Sequence, residues 1–271
     1  MADARSRTAL VTGTSSGLGR GVAERLVSQG WDVLGTVRGD AGKLPFESVH
    51  CDVTDDDAVV RLGQQVLERW GQLDALVNNA GVGLTGPVEE LAPAELRRHL
   101  DVNLVAPLAV VRACLPALRA ASGVVVQVSS VSGFTGSELL PAYNASKFGI
   151  EGASEALAAE VADQGVRVVL VEPSEFRTKI AQKGTQVAAK GATGLYEDAW
   201  RETDEWLDWL ATSSPDADAF ISAIVAAATR LDAPFRIPVG ESSADELRRK
   251  GEEMVAQAAA AEAFLGPVGE S

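Results

Sequence analysis

The 271-residue sequence predicts an α/β fold with a doubly wound parallel sheet of about seven strands and helices on both faces. Two observations support this prediction. Short apolar runs alternate with helical patterns along most of the chain, and strands that alternate with helices form parallel sheets through right-handed crossovers. The first apolar run, residues 8–11, also leads directly into a glycine-rich turn, Thr12–Gly19, that is followed by a helical pattern.

Each predicted element follows from a local pattern. Seven apolar runs are predicted as strands: residues 8–11, 31–37, 46–51, 73–77, 124–128, 166–171 and 235–239. One helical pattern follows the glycine turn. Further helical patterns cover residues 55–70, 93–121 (with interruptions expected at Pro107 and Pro116), a stretch from Pro141, 216–230 and 244–265. No linker divides residues 1–271, so we expect one domain that ends in an acidic helix and tail, residues 244–271.

Residues 178–215 are less regular and are unusually rich in aromatic side chains. A plain connection does not need these aromatics, so we predict that the segment is a mobile lid over a substrate pocket. The alternative is a small helical subdomain that packs permanently on the core.

Composition restricts the possible partners. The formal net charge is −14, which argues against nucleic acids and anionic membranes. The two cysteines, Cys51 and Cys114, have no metal or redox spacing, so we expect no metal site and a reducing compartment. The N-terminus lacks the apolar core of a signal peptide, and we expect no apolar run that approaches the roughly 20 residues needed to cross a bilayer. A cytoplasmic location is therefore expected.

The glycine-rich turn is the first candidate site. Gly13, Gly17 and Gly19 lie between a predicted strand and a predicted helix, with three residues in the first gap and one in the second. Glycines allow the backbone to approach a pyrophosphate, and the N-terminus of the helix offers free N–H groups and a favourable dipole. This arrangement predicts a dinucleotide site.

The same turn also fits a different chemistry. Residues 13–17 match the Gly-x-Ser-x-Gly pattern of a hydrolase nucleophile. A hydrolase needs a histidine base, and the sequence contains only His50 and His99, both in positions typical of ordinary residues. Only one strand precedes the turn, whereas a nucleophile elbow normally follows several, so this reading is disfavoured.

The end of the second predicted strand bears on the choice of dinucleotide. An NAD site usually has a carboxylate about 20 residues beyond the glycine turn. Here Val37 is followed by Arg38, and Asp32 lies at the opposite end of the strand. A guanidinium without a carboxylate suits the 2′-phosphate of NADP. The alternative is that Arg38 is solvated and only begins a turn.

A second candidate site follows the strand at residues 124–128. Ser130 lies just beyond that strand, and Tyr143 and Lys147 lie four residues apart on one face of the next helix. A phenol normally titrates near pH ~10, and a neighbouring ammonium favours the phenolate. We therefore predict an acid–base site in which Ser130 binds the reacting oxygen. The alternative is a tyrosine packed on the helix flank beside a solvated lysine.

Taken together and in this order, the motifs resemble the short-chain dehydrogenase/reductase family over about residues 8–240. The matching stretches are Thr12–Gly19, Asp52 with Val53, Asn78–Gly81, Asn103, Ser130, Tyr143 with Lys147, and Pro173–Thr178. The resemblance implies a Rossmann-type fold and an oxidoreductase that reduces a carbonyl, or oxidises the alcohol, with NADP(H) in preference to NAD(H). It also implies a small-molecule substrate and a homodimer or homotetramer.

The resemblance also implies a role for each matching residue. Tyr143 would donate or accept the proton, Ser130 would orient the substrate oxygen, and Lys147 would bind the nicotinamide ribose and lower the pKa of Tyr143. Asn103 would hold a water in a proton relay. The implied cofactor-binding residues are Gly13, Ser15, Ser16, Gly17, Leu18, Arg38, Asp52, Val53, Asn79, Ala80, Gly81, Tyr143, Lys147, Pro173 and Thr178.

Several points stay open at the level of the sequence. The family usually has Pro-Gly where this chain has Pro173-Ser174, and the added Cβ restricts the backbone. Glu138 and Glu175 flank the expected pocket and either read a polar substrate or are simply solvated. A dinucleotide-binding regulatory or scaffold protein without turnover is one alternative function, and an epimerase or lyase on the same scaffold is another. The sequence does not identify the substrate.

Overall fold

The structure is a computed structural model that describes residues 5–176, the backbone of residues 185–187, and residues 193–265. The described part contains nine strands: Thr8–Val11 (β1), Asp32–Val37 (β2), Glu47–His50 (β3), Ala75–Asn78 (β4), Gly83–Thr85 (β5), Val124–Val128 (β6), Arg167–Pro173 (β7), Thr185–Val187 (β8) and Arg236–Val239 (β9). Its α-helices are Gly17–Ser28 (α1), Asp56–Trp70 (α2), Pro93–Leu100 (α3), Ala106–Ala121 (α4), Pro141–Val161 (α5), Glu197–Thr212 (α6), Asp218–Thr229 (α7) and Ser243–Leu265 (α8).

Seven of these strands form one parallel sheet in the order β3-β2-β1-β4-β6-β7-β9. They are the seven strands that the sequence predicts, with ends that agree within two residues. The direction in which the sheet is built reverses between β1 and β4. In sheets of this kind, ligands bind beyond the carboxyl ends of the strands at the reversal, so the topology places a crevice beside the glycine turn.

Alternating side chains of the strands supply two cores, one on each face of the sheet. Leu10 and Leu76 point to the face that α2, α4 and α5 cover. Their neighbours Val11 and Val77 point to the face that α1 and α7 cover. This period-two alternation confirms the predicted doubly wound architecture, because both faces of the central strands are apolar and both carry helices.

The long helical stretch differs from its prediction at both prolines. Pro116 lies inside α4 without ending it, so the predicted break there is wrong. At Pro107 the helix also continues, but residues Asp101–Val105 form a wider π-helical turn just before it. Proline lacks the N–H that would bond the carbonyl four residues earlier, and a wider turn absorbs this defect. That turn carries Asn103.

Residues 93–121 together form a helix of 29 residues that is long and apolar enough to cross a membrane by length and composition. The expectation that no such run exists is therefore wrong. In the fold, the apolar side chains Val110, Cys114 and Leu118 of this helix are buried in the core that it shares with α2.

Two features of the structure have no counterpart in the sequence prediction. β5 and β8 pair in parallel as a separate two-stranded sheet, and α6 is a regular helix where the sequence suggested irregular structure. Buried Glu90 anchors this region, because its carboxylate accepts from Trp200 Nε1 at 3.1 Å and from the Thr193 backbone N–H at 3.0 Å. The predicted lid motion of residues 178–215 stays a prediction.

Candidate active site

A cavity of about 810 Å³ opens at the carboxyl ends of the central strands. Nearly all residues that the sequence analysis assigns to a site line it, and only Thr178 lies outside the described residues. The predicted residues in its wall are Gly13, Ser15, Ser16, Gly17, Leu18, Arg38, Asp52, Val53, Asn79, Ala80, Gly81, Asn103, Ser130, Tyr143, Lys147 and Pro173. The two candidate sites of the sequence are therefore two ends of one cavity.

The glycine turn leaves room and N–H donors for an anion. Gly13 has φ +73°, and a Cβ there would lie 3.0 Å from the Cα of Ala80. Gly17 has φ +63° and faces open space. Ser16 occupies the N-cap of α1, yet its side chain makes no capping bond, and no acidic residue lies in the first turn. An uncapped helix N-terminus beside glycines fits the pyrophosphate of a dinucleotide.

The neighbouring loop after β4 is bonded to this turn. Thr12 Oγ1 accepts from the backbone N–H groups of Asn79 and Ala80, both at 3.0 Å. The Asn79 amide donates to the Thr12 carbonyl at 2.9 Å. A Cβ at Gly19 would lie 2.4 Å from this amide nitrogen. Glycine at position 19 therefore makes room for Asn79, which holds the turn in shape.

At the far end of the cavity, Arg38 is exposed just beyond β2. His50 Nε2 bonds the Arg38 carbonyl at 2.9 Å, which fixes the backbone of the turn. Asp40, the carboxylate on the same loop, accepts from the Gly42 N–H at 2.8 Å. The pKa of Asp52 is lowered, first by hydrogen bonds from Thr54 and then by the charges of Arg38 and His50. Arg38 thus supplies positive charge where the sequence analysis expects a 2′-phosphate.

At the inner end, Ser130 and Tyr143 meet. Ser130 Oγ accepts from the Ser132 N–H at 3.2 Å, which fixes the serine at the start of a short 3₁₀ turn. Burial raises the pKa of Tyr143, and a hydrogen bond with Ser130 opposes this effect. The net direction is upward, so any lowering by Lys147 of the kind the sequence predicts does not outweigh burial here.

Lys147 is fixed beside Tyr143. Its Nζ donates to the Val128 carbonyl at 2.7 Å and lies 5.6 Å from the centroid of the Tyr143 ring. Burial lowers the pKa of Lys147 to about 8, and the negative charge of Glu151 opposes this shift. The pKa of Lys147 is therefore close to neutral pH, and the groups around the ammonium decide whether it stays protonated.

The buried Asn103 ties the active-site wall together. Its Oδ1 accepts from the Val82 N–H at 2.9 Å, and its Nδ2 donates to the Val82 carbonyl at 2.8 Å. Nδ2 also lies 3.1 Å from His99 Nε2. Both ends of the side-chain amide are thus occupied by protein groups.

His99 is a residue that the sequence analysis dismissed as ordinary. It is buried, its ring centroid lies 6.0 Å from that of Tyr143, and Ser146 Oγ lies 3.4 Å from its Nε2. Burial and the charge of Lys147 lower the pKa of His99 to about 4, so the ring is neutral at pH 7. The sequence did contain a signal for His99. It precedes Asn103 by four residues, which places the two side chains on one face of the helix.

Ser174, which stands where the family usually has glycine, is accommodated by its surroundings. A Cβ at Gly240, where φ is +111°, would lie 1.9 Å from Ser174 Oγ. The Ser174 N–H donates to the Val239 carbonyl at 2.9 Å. The added hydroxymethyl group is therefore accommodated against a glycine. Glu175 lies in the cavity wall, whereas Glu138 is an exposed residue of the loop before α5.

The outer wall of the cavity comes from α6 and was missed at the level of the sequence. Its contributions are Trp206, Leu207 and Leu210. On the same side, Phe176 stacks on Phe220 with ring centroids 3.8 Å apart. These residues give the cavity an apolar wall, and Glu175, Glu246 and Arg249 add charged groups to the lining.

Comparison with known proteins identifies the family. The model of the short chain dehydrogenase family matches residues 7–188. This match covers more than half of the chain, so the protein belongs to the short-chain dehydrogenases, which are oxidoreductases that bind a nicotinamide dinucleotide. The hydrolase reading of residues 13–17 is thereby set aside.

Individual relatives agree with this assignment. The chain is 32% identical over 235 residues to a 3-ketodihydrosphingosine reductase of Bacteroides thetaiotaomicron, covering 85% of this chain and 87% of the relative. It is 34% identical to an NADPH-dependent 3-dehydrocapnine reductase of Ornithobacterium rhinotracheale, covering 71% of each. A crystal structure of a short-chain dehydrogenase from Streptomyces avermitilis is 32% identical, covers 96% of this chain and 97% of its own, and gives a TM-score of 0.83.

Proposed function

We propose that this protein interconverts a carbonyl and an alcohol with NADP(H), and that Tyr143 is the proton donor and acceptor. One observation carries the proposal: the interacting side chains of Ser130 and Tyr143 lie in the same cavity as the uncapped N-terminus of α1. A dinucleotide bound at the turn and a substrate oxygen bound at the hydroxyls would share one enclosed space.

In the reducing direction, bound NADPH supplies the hydride. Ser130 and Tyr143 donate hydrogen bonds to the carbonyl oxygen and hold it in place. As negative charge develops on that oxygen, Tyr143 transfers its proton to it. Lys147, positioned by its bond to the Val128 carbonyl, then stabilises the phenolate through its ammonium charge.

Asn103 is proposed to support the return of the proton through a bound water. Because the side-chain amide is occupied by Val82 and His99, the group left for a water is the backbone carbonyl of Asn103. Pro107, four residues later, has no N–H to bond this carbonyl. The π-helical turn before Pro107 therefore has two proposed effects. It accommodates the proline in the helix, and it leaves the Asn103 carbonyl for a water.

The proposal is tested by Tyr143→Phe. Removal of the phenolic oxygen deletes the proton donor and keeps the ring, so turnover should fall by roughly 10²–10⁴-fold, the usual contribution of general acid–base catalysis. NADPH affinity, measured by fluorescence titration, should be nearly unchanged. Turnover within threefold of the wild type would rule out the assigned role. Phe148→Leu, on the exposed side of the same helix, is the control.

NADPH should be preferred over NADH, because Arg38 offers a guanidinium to the 2′-phosphate and Val37 leaves no carboxylate to repel it. The named NADPH dependence of one relative supports this choice. Replacing Val37 with Asp and Arg38 with Leu should move the ratio of kcat/KM values toward NADH. Arg119→Leu, which removes an exposed arginine at the end of α4, should leave the ratio unchanged. A higher kcat/KM with NADH in the unmodified protein would refute the Arg38 argument.

The substrate is proposed to carry an apolar body. The cavity is lined in part by Trp206, Leu207 and Leu210, and two relatives are named as reductases of 3-ketodihydrosphingosine and of 3-dehydrocapnine. A screen of ketones with increasing chain length, followed by NADPH oxidation, should show KM falling with length. Leu207→Asp should raise KM for the longest ketone and leave a short one almost unaffected. Equal KM values across the series would argue against this substrate class.

A further inference from the structure

A buried cluster of carboxylates surrounds one arginine directly behind Lys147. Arg236 Nη1, from β9, bonds both Glu151 of α5 and Glu172 of β7. Its other terminal nitrogen bonds Glu155, one turn further along α5, at 2.6 Å. Glu172 is fully buried and Glu151 nearly so, whereas the Glu155 side chain is 60% exposed. Two buried carboxylates therefore share a single positive partner.

One oxygen on each buried carboxylate is unsatisfied. Glu151 Oε1 and Glu172 Oε2 have no hydrogen-bond partner among the described residues, although both are shielded from solvent. Two buried anions with one guanidinium between them would repel each other and lack donors for these oxygens. A single proton between the two carboxyl groups removes one charge and supplies the missing hydrogen bond.

The surroundings indicate where the proton and the remaining charge reside. Burial and the charge of Glu151 raise the pKa of Glu172 to about 7, despite its bond to Arg236. Glu172 is therefore assigned the proton of the pair, which leaves the negative charge on Glu151. Glu151 lies one helical turn beyond Lys147, and its charge favours the ammonium form of that lysine.

We propose that Glu151 and Glu172 share one proton at neutral pH and act as positioning residues that keep Lys147 positively charged. Glu172 holds the proton, so that the negative charge stays on Glu151, next to the lysine. The inference rests on the role of Lys147 in the proposed function, but the shared proton itself can be observed without turnover.

The charged groups around the pair are few in the described part of the chain. α5 presents Lys147 and Glu155, and β9 presents Arg236. The short turn after Ser130 contributes Gly133, where a Cβ would lie 2.9 Å from Glu151 Oε1. α8 contributes the buried hydroxyl of Ser243, which donates to the Glu172 carbonyl at 2.8 Å. The glycine and the serine do not titrate.

Infrared spectroscopy of the cofactor-free protein tests the shared proton. The difference spectrum between the wild type and Glu172→Gln at pH 6 should contain one band of a protonated carboxylic acid, which shifts in D₂O. The band should disappear from the wild type as pH rises through about 7. A difference spectrum at pH 6 that contains only ionised carboxylate would overturn the proposal. Glu155→Gln is the matched control and should show carboxylate loss alone, because Glu155 is exposed.

Titration of Lys147 tests the link to the active site. In protein labelled at the lysine ε-carbon, the Lys147 signal, identified with a Lys147→Met variant, should titrate near pH 8. Glu151→Gln moves the remaining charge to Glu172 and should lower this midpoint by roughly one pH unit. Glu172→Gln should move the midpoint much less, because the charge that acts on Lys147 is that of Glu151. Glu155→Gln, which touches the same arginine, should leave it in place.

Kinetics complete the test and separate the two proposals. If Lys147 acts as proposed, the alkaline fall of kcat should move to lower pH in Glu151→Gln, move much less in Glu172→Gln and stay in place in Glu155→Gln. A purely structural role would lower stability in Glu151→Gln without moving the lysine midpoint, and that result would overturn the inference. If the titration midpoint of Lys147 moves but the pH profile of kcat does not, the effect of Glu151 on the lysine is supported and the proposed role of Lys147 in catalysis is refuted.

Discussion

Two buried polar clusters lie next to Tyr143 and Lys147, and each keeps one titratable group uncharged. The neutral cluster, His99, Asn103 and Ser146, keeps a base unprotonated, because burial lowers the pKa of His99 to about 4. The acidic cluster, Glu151, Glu172 and Arg236, keeps an acid protonated, because burial raises the pKa of Glu172 to about 7.

The same physical cause therefore produces opposite dependences on pH. Desolvation penalises whichever form carries charge, so a buried histidine loses its proton and a buried carboxyl retains one. The neutral cluster is held by hydrogen bonds between uncharged groups, although His99 Nδ1 has no partner among the described residues. The acidic cluster contains an obligatory cation, Arg236, and must balance it. This difference explains why only the acidic cluster can act on the charge of Lys147.

The largest loss of stability is expected for Asn103→Ala in the neutral cluster. The substitution leaves the N–H and the carbonyl of Val82 without partners and removes the contact with His99. Unpaired buried groups cost about 1–3 kcal/mol each, so the free energy of unfolding should fall by roughly 2–4 kcal/mol. Urea denaturation measures the loss. Asn144→Ala, whose amide makes one long bond of 3.4 Å, should lose much less; equal losses would show that Asn103 does not organise the cluster.

His99→Gln should change how stability responds to acid. The glutamine oxygen can still accept from Asn103, but it does not titrate. In the wild type, the unfolded chain takes up a proton near the ordinary histidine value of 6.5 and the folded protein only near 4, so stability is lost as pH falls through this window. The loss amounts to about 3 kcal/mol at most. Denaturation curves between pH 7 and pH 4 should be flatter in the variant, and parallel curves would contradict the buried neutral histidine.

Glu172→Gln should show the opposite window and a smaller effect. The folded protein holds the Glu172 proton up to about pH 7, whereas the unfolded chain releases it near 4.5. The contribution of Glu172 to the stability of the wild type should therefore fall as pH rises from about 4.5 through about 7, and the variant should lack this contribution. The pH-dependent change in the free energy of unfolding is reduced because Arg236, 27% exposed, stays in contact with the Glu172 carboxylate. A wild-type curve that rises over this range, and that the substitution does not alter, would show that Glu172 is ionised throughout.

The two clusters also differ in how well the sequence predicts them. Asn103 was found through its place in a family motif, and His99 could have been found from the spacing of four residues on one helix. The members of the acidic cluster lie on α5, β7 and β9, at positions 151, 172 and 236. No periodicity connects them. Their contact depends on the order of the strands in the sheet, which the sequence analysis did not predict.

The same reasoning explains the rest of the site. The glycine turn, Ser130, Tyr143 and Lys147 were predictable, because strand ends and helix faces place their groups by local geometry. α6 was missed, although Trp200, Trp206 and Leu210 follow a helical stripe. The sequence analysis treated the whole of residues 178–215 as less regular instead. The apolar part of the cavity wall comes from this helix. The sequence therefore predicted the catalytic residues but not the wall that would contact the substrate.

The smallest expected effect is that of Ser146→Ala, and it separates hydrogen bonding from titration within the neutral cluster. Ser146 Oγ donates to the Tyr143 carbonyl at 2.7 Å and lies 3.4 Å from His99 Nε2. The serine does not titrate in this range, and its main partner is a helix carbonyl of α5. Its loss should therefore cost about 1 kcal/mol, the typical value of one hydrogen bond, by the same amount from pH 5 to pH 8. Denaturation across that range tests this expectation. A loss that shrinks on the acid side would mean that Ser146, rather than burial alone, keeps the pKa of His99 low.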